Sequence, residues 1–141
     1  MSHAGPSLPD RLHAWAIHVL RWLREADRSS PLSAAELSAL SVVVHLGPLS
    51  LTELAEAEQV RPPSMSRLIS GLEGRGLVDR ERSAEDRRVA RISATVAGLG
   101  LLEEGRQRRL RALRAALDEL GPVDRRALDR AVGVLEGLLP E

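Results

Sequence analysis

Hydrophobic residues recur along this chain at three- and four-residue steps, the spacing of one face of an amphipathic α-helix. The longest such stretches lie near the two ends, over residues 12–23, 99–120 and 128–139. In the middle, two short helical patterns precede a segment in which apolar and polar residues alternate, as they do in a half-buried strand. We therefore predict a mainly α protein with a small β element.

The first helix is predicted from an N-cap at Asp10 to about Ala26, before the helix-breaking Ser29-Ser30-Pro31 segment. Its apolar stripe includes Trp15 and Trp22, which lie two turns apart. We expect both tryptophans to pack in a core rather than to bind a cofactor. The core must otherwise be aliphatic, because aromatic residues make up only 1% of the chain.

Two Ser-x-x-Glu sequences, Ser33 to Glu36 and Ser50 to Glu53, mark the starts of the next two helices. This spacing is a capping box, in which each serine and glutamate side chain accepts from the backbone N–H of the other. Gly47-Pro48 ends the first of these helices. Pro62-Pro63 forces a turn after the second, because proline lacks an N–H and disfavours helix in the residue before it.

A fourth helix is predicted from about Pro63 to Arg75, with Gly74 and Gly76 available for a left-handed C-terminal cap. Its apolar stripe is Met65, Leu68, Ile69 and Leu72. Strands are then predicted over residues 77–82 and 87–93, joined by a charged loop. The predicted order is therefore helix, turn, helix and a two-stranded wing, followed by a helix over residues 96–120 and a last helix from Val123 or Asp124.

Several short motifs occur in a fixed order within this block. They are Ser66-Arg67-Leu68, then Leu72-Glu73-Gly74-Arg75-Gly76-Leu77-Val78, then Asp86-Arg87-Arg88, then Thr95-Val96-Ala97-Gly98. Together they resemble the winged helix-turn-helix of the MarR (multiple antibiotic resistance regulator) family, over roughly a third of the chain. Two departures are Ala94 where the family has leucine, and Glu58-Gln59-Val60 in a turn where it often has glycine.

The resemblance implies a winged helix-turn-helix DNA-binding domain over residues 33–98. Residues 10–30 and 99–141 are then a helical dimerisation region, continuous with that domain. The apolar stripes on the first and last two helices support a homodimer, because a small winged domain cannot cover them and large exposed apolar patches mark interfaces.

Double-stranded operator DNA is the partner that this fold implies. We expect the fourth predicted helix, which is the recognition helix of this fold, to enter the major groove, where Arg67 reads a base. The N-terminus of the same helix is expected to bind a phosphate. In the wing, Arg88 is expected at the minor groove or its phosphates, and Arg87 is a further DNA-binding candidate. Asp86 is expected to orient the wing by pairing an arginine. The helix contributes Ser64, Ser66, Arg67 and Ser70.

Charge supports this interpretation locally and not globally. The net charge is zero, but the segment from Arg61 to Arg91 contains eight arginines and five acidic residues. In the alternative interpretation, these arginines are ordinary surface charges.

Members of the family often bind small anionic aromatic molecules between the dimer helices and the winged domain. The corresponding candidates here are Trp15, His18, Trp22 and His45. We therefore predict a transcriptional regulator, a repressor released by a small-molecule effector such as a phenolic acid. Two alternatives are a constitutive or architectural DNA-binding protein without a ligand, and a winged-helix protein-interaction module. The sequence specifies neither the operator nor the effector.

Other classes of function find little support. The chain has no cysteine, no nucleophile elbow and no phosphate-binding Gly-Lys loop, so we predict neither an enzyme nor a cofactor. A metal sensor is disfavoured, because His13 and His18 are five residues apart and do not share a helical face. No apolar run is long enough to span a membrane and no signal-peptide core is present, so we expect a cytoplasmic protein with no membrane partner.

Overall fold

A computed structural model describes residues 5–138. These residues form six helices and three strands. The helices are α1 (Leu8–Ala26), α2 (Ala34–Leu46), α3 (Leu51–Ala57), α4 (Pro62–Gly74), α5 (Val96–Asp118) and α6 (Pro122–Glu136). The strands are β1 (Leu49–Ser50), β2 (Val78–Arg82) and β3 (Ala90–Ala94). The predicted mainly α fold with a small β wing is confirmed.

Contacts between residues divide the chain into two compact units. Asp27–Arg106 forms one, which we call the winged unit; it contains α2, α3, α4, the sheet and the start of α5. The second, the helical unit, combines the described residues 5–26 and 107–138. It contains α1, the end of α5 and α6.

Local hydrogen bonds fix the helix starts. The two predicted capping boxes are confirmed: Ser33 Oγ accepts from Glu36 N at 3.2 Å, and Ser50 Oγ accepts from Glu53 N at 3.2 Å, with each glutamate bonding back. At α1 the predicted cap is wrong, because Ser7 Oγ accepts from Asp10 N at 3.4 Å while Asp10 accepts from Ser7 N. The helix therefore starts at Leu8, with Asp10 inside its first turn.

The core of the winged unit is aliphatic, as its composition requires. The predicted stripe of α4 is confirmed, since Met65, Ile69 and Leu72 are fully buried and Leu68 is half-buried against them. These side chains meet residues from α2, α3 and the sheet. The other buried residues of this core are Leu32, Ala39, Leu40, Val43, Leu54, Ala55, Leu77, Val78 and Ile92.

The sheet is antiparallel, with strand order β1-β3-β2. β1 was not predicted, because a strand of two residues carries no periodicity and exists only through its pairing with β3. The predicted strand from Arg87 is also wrong at its start. Pairing ends at Arg82 and Ala90, and Val89 N donates to Asp86 O at 3.0 Å, so residues 87–89 form a turn instead.

Two left-handed residues shape the ends of α3 and α4. After α4, Gly76 has φ 70°, and Leu77 N donates to Leu72 O at 3.0 Å, which confirms the predicted left-handed cap. After α3, Gln59 adopts φ 54° and Val60 N donates to Ala55 O at 3.0 Å. The turn before α4 thus keeps the geometry that glycine favours, with glutamine in its place.

The helices of the helical unit leave much apolar surface uncovered. Neither α1 nor α6 contains a buried residue. Trp15 is 51% exposed and Trp22 37%, so the expected core packing of the tryptophans is wrong within a single chain. Leu139, at the end of the predicted last stripe, lies outside the described residues. Between residues 5 and 138, no helix is both long and apolar enough to cross a membrane.

Candidate nucleic-acid interface

The outward side of α4 carries the side chains predicted to read DNA. Ser64, Arg67 and Ser70 are exposed at three-residue steps, so they share one face, whereas Ser66 is half-buried. The opposite stripe of α4 is buried in the core. The helix is therefore held by its apolar side with its polar side in solvent, an arrangement suited to insertion into a major groove.

The N-terminus of α4 differs from the expected phosphate site. Pro62 and Pro63 occupy its first turn and have no N–H to donate. The next two amides are already used, since Ser64 N and Met65 N both donate to Arg61 O, at 3.0 and 3.1 Å. The first turn thus offers no free backbone N–H to an anion, and any phosphate contact there must come from side chains such as that of Arg61.

The eight arginines between Arg61 and Arg91 fall into two groups. Four bond within the protein: Arg75 to Glu36 and Pro31 O, Arg80 to Glu73 and Ser70, Arg88 to Asp86, and Arg91 to Glu53. Among residues 5–138, no hydrogen bond or ion pair engages the guanidinium groups of Arg61, Arg67, Arg82 and Arg87. All four are exposed, so their charge is free to neutralise phosphates.

The wing loop is organised by Asp86. Its Oδ1 accepts from Arg88 N at 3.0 Å and from Arg88 Nε at 3.3 Å, while the Arg88 side chain remains 92% exposed. Ser83 Oγ accepts from the backbone N–H groups of Glu85 and Asp86 on the other side of the loop. Arg88 therefore starts from a bonded position, whereas Arg87 beside it does not.

Each wing strand is also bonded to a different helix of the helix-turn-helix. From β2, Arg80 Nη2 donates to Ser70 Oγ of α4 at 3.0 Å, and Arg80 Nε lies 2.9 Å from Glu73 Oε2. From β3, Arg91 Nη1 donates to Glu53 Oε2 of α3 at 2.7 Å. Backbone and side-chain hydrogen bonds from Ser50, with the Arg91 charge, lower the pKa of Glu53.

The candidate effector residues are all exposed. Trp15, His18 and Trp22 lie on α1 in the helical unit, and His45 lies on α2 in the winged unit. Nδ1 of His45 lies 2.7 Å from Ser41 O, which occupies one of its ring nitrogens. In the described part of the chain, no group of three or more His, Cys, Asp or Glu residues is arranged to hold a metal ion.

Sequence reasoning missed part of this surface. Arg61 and Arg82 lie outside the matched motifs, and nothing in the sequence separates them from Arg75, Arg80 or Arg91. The distinction depends on tertiary contacts such as Arg91 with Glu53, which are 38 residues apart. The only local signal was the excess of arginine over acid in this segment.

Comparisons with known proteins agree with this architecture. A sequence profile of the MarR family matches residues 32–90. An uncharacterized HTH-type transcriptional regulator of Mycobacterium bovis is 36% identical over 141 residues, which is 100% of this chain and 99% of that protein.

Solved structures share the fold. Transcriptional regulator Tm0710 of Thermotoga maritima has a TM-score of 0.81 at 22% identity, covering 90% of this chain and 89% of that one. A mutant of S. aureus MepR bound to an oligodeoxyribonucleotide has a TM-score of 0.74 at 17% identity, covering 95% and 99%. With the family profile and the full-length relative, these matches establish that the chain belongs to the MarR family of helix-turn-helix transcriptional regulators.

Proposed function

We propose that this regulator binds double-stranded operator DNA with α4 in the major groove and the wing along the flanking backbone. The observation that carries the proposal is the group of four unpaired arginines on these two elements, Arg61, Arg67, Arg82 and Arg87. A cation without an internal partner binds phosphate or a base edge without first breaking a bond. Arg67, on the outward face of α4, is the base reader, because a guanidinium bonds both acceptors of guanine.

The remaining predicted contacts take supporting roles. Ser64, Ser66 and Ser70 are proposed to bond phosphates or bases near Arg67, since a serine hydroxyl donates and accepts. Arg88 is proposed to join Arg87 at the minor groove or its phosphates once DNA competes with Asp86. Asp86 is proposed to orient the loop through its hydrogen bonds from Arg88. It is not proposed to contact DNA, because its negative charge repels phosphate.

The functional unit is proposed to be a homodimer. The uncovered apolar side chains of α1 and α6 support this, because such a surface is costly to leave in water. Two copies related by two-fold symmetry place two α4 helices on successive turns of the duplex, so the operator is expected to be a pseudo-palindrome.

Regulation is proposed to be repression relieved by a small anionic aromatic effector. The support is the exposed pair of tryptophans with His18 on α1, which offer stacking and hydrogen bonding. His45, on α2 of the winged unit, is a separate exposed candidate. An effector acts only through its different affinities for the DNA-bound and free states. Effector binding and DNA release are therefore linked.

Selection of bound duplexes from a random pool tests the proposal. We expect recovery of a pseudo-palindromic sequence, with an affinity that falls steeply with salt. The selected duplex is then titrated in the presence of a panel of phenolic acids, while tryptophan fluorescence is followed. Enrichment without any effector response leaves a constitutive DNA-binding protein, and no enrichment from the pool overturns DNA recognition itself.

A further inference from the structure

One side chain of β2, that of Arg80, contacts two residues of α4. Ser70 and Glu73 are three residues apart and share one face of α4. The single guanidinium of Arg80 reaches both, with Nη2 at 3.0 Å from Ser70 Oγ and Nε at 2.9 Å from Glu73 Oε2. The guanidinium thus donates a hydrogen bond to Ser70 and forms an ion pair with Glu73, in which the buried Nε–H is not aligned for a hydrogen bond. The planar group holds both contacts in one orientation, which the point charge of lysine does not.

Arg80 is placed where the wing leaves the core. On the same face of β2, Val78 is fully buried, Arg80 is 29% exposed at its side chain and Arg82 is exposed. Arg80 pairs across the sheet with Ile92, the last fully buried residue of the wing strands. Beyond that point the two-stranded ribbon has no core of its own, and such ribbons twist readily.

We propose that Arg80 is a positioning residue that fixes the wing to the recognition helix, so that both meet DNA in one preset geometry. The inference rests on the proposed DNA-binding function. Two DNA-contacting elements that are already oriented avoid the loss of orientational freedom on binding, and this increases affinity without adding a contact. Arg91 anchors β3 to α3 in the same way, through Glu53 at 2.7 Å.

The contact is suited to orientation more than to folding. Glu73 and Arg80 are both partly in solvent, with side-chain exposures of 43% and 29%, and such pairs add little to global stability. The buried neighbours Leu72, Leu77 and Val78 hold the start of β2 without them. Arg80→Gln is therefore expected to remain folded and dimeric, with a looser wing.

Ser70 gains a direction from the same contact. Its hydroxyl accepts from Arg80, so its own proton is free to be donated outward to a phosphate oxygen. Arg80 thereby orders one DNA-facing donor on α4 as well as the wing. It does so without a contact of its own to DNA.

The first arm of the test uses the free protein. Amide hydrogen exchange is compared in wild type, Arg80→Gln, Glu73→Gln and the double variant, with Arg82→Gln as the matched control on the same strand face. We expect amide exchange over residues 80–92 to be several-fold faster in Arg80→Gln and in Glu73→Gln than in wild type, with no further increase in the double variant. Arg82→Gln should exchange at the wild-type rate. Unchanged exchange in Arg80→Gln overturns the inference.

The second arm uses DNA selected by the wild type, in a long duplex and in one trimmed of the flanks that the wing protects. We expect Arg80→Gln to lose about tenfold in affinity on the long duplex, which is 1.4 kcal/mol, and less on the trimmed duplex, where only the ordering of Ser70 is lost, with an unchanged salt slope on both. Arg80→Lys should recover part of it. Arg82→Gln should lower the salt slope by about one.

Two other outcomes decide against a positioning role. A lowered salt slope in Arg80→Gln means that Arg80 contacts phosphate itself, and equal losses on both duplexes mean that the wing is not what Arg80 positions. If the wild type selects no DNA at all, the proposed function fails, while the exchange arm still decides whether Arg80 holds the wing.

Discussion

Gly98 faces the main-chain carbonyl oxygen of Leu77 so closely that a Cβ atom at this position would overlap it. The approach is fixed from both sides by Thr95, whose N–H donates to Leu77 O at 3.1 Å and whose Oγ1 donates to Gly76 O at 2.6 Å. Thr95 Oγ1 also accepts from Gly98 N at 3.1 Å. The Thr-x-x-Gly motif thus joins the start of α5 to the junction between α4 and β2.

Gly98→Ala is expected to destabilise the fold by about 2–3 kcal/mol, because the added methyl group meets backbone, which cannot move aside as a flexible side chain can. Gly100→Ala is the matched control on the same helix, since nothing lies within 4 Å of its Cβ position. That variant should gain roughly 0.5–1 kcal/mol from helix propensity. Denaturant unfolding of both variants checks this; equal stability of the two would contradict the close approach.

Gln59→Gly is expected to stabilise the turn before α4. A left-handed residue with a side chain costs about 1–2 kcal/mol of folded-state stability, and glycine removes this cost. Glycine also raises the entropy of the unfolded chain, which offsets the gain by roughly 0.4–1 kcal/mol. The net gain should be about 0.5–1 kcal/mol. Glu58→Gly, at a neighbour with φ −87°, has no strain to relieve and should lose stability in the same unfolding measurement.

The parts of the fold that follow from neighbouring residues were predictable from the sequence. The two capping boxes and the left-handed Gly76 depend on interactions within a few residues, and all were predicted correctly. β1 and the true start of β3 depend on pairing between distant segments, so periodicity alone could not locate them.

The candidate interface divides in the same way. Arg67 could be identified because helical period and motif place it on the outward face of α4. Which arginines are free could not be predicted, because the partners of Arg75 and Arg91 come from other elements. The sequence likewise predicts a phosphate site at the N-terminus of α4, because it does not reveal that Ser64 N and Met65 N both donate to Arg61 O.

The charge of Glu53 should make stability depend on pH in the acidic range. Its pKa is lowered, first by the backbone hydrogen bond from Ser50, then by the Ser50 side chain and Arg91. A lowered folded-state pKa adds stability above the unfolded value, and this is lost as pH falls through the folded value. Glu53→Gln keeps a capping residue without the charge, so its stability deficit should shrink on acidification.

Unfolding curves from pH 7 down to the acidic range measure this difference. Thr52→Ala, next to Glu53 but without a carboxylate, is the control and should show a constant difference from wild type. A Glu53→Gln deficit that stays constant with pH, or grows on acidification, would show that the charge of Glu53 adds no stability.

Leu135→Asp should weaken the proposed dimer. Leu135 belongs to the apolar stripe of α6, which the helical unit leaves largely in solvent, and burying an unpaired charge in an interface costs several kcal/mol. Arg126→Asp introduces the same side chain on the opposite side of α6 and should leave association intact. Sedimentation at micromolar concentration distinguishes them, and a monomeric wild type would remove the basis of the prediction.

Three of the arginines proposed to bind DNA, Arg67, Arg87 and Arg88, should respond differently to replacement by alanine. Arg67→Ala removes a proposed base contact and should cost about 1–3 kcal/mol on the selected duplex, with a smaller loss on scrambled DNA. Arg87→Ala removes an unpaired cation, so affinity should fall for all duplexes and the salt slope should drop by about one. Arg88→Ala should lower the slope less, because Arg88 starts in its bond to Asp86.

Asp86→Ala separates the positive charge of the wing loop from its ordered conformation. It releases the charge of Arg88 but removes the acceptor for Arg88 N and Nε, so the loop loses order while the local positive charge rises. Binding to scrambled duplexes should therefore strengthen at low salt, while the preference for the selected duplex falls. Titrations of selected and scrambled duplexes over a salt series resolve both effects. If every replacement leaves affinity unchanged on both duplexes, the wing and α4 are not the DNA-binding surface of this regulator.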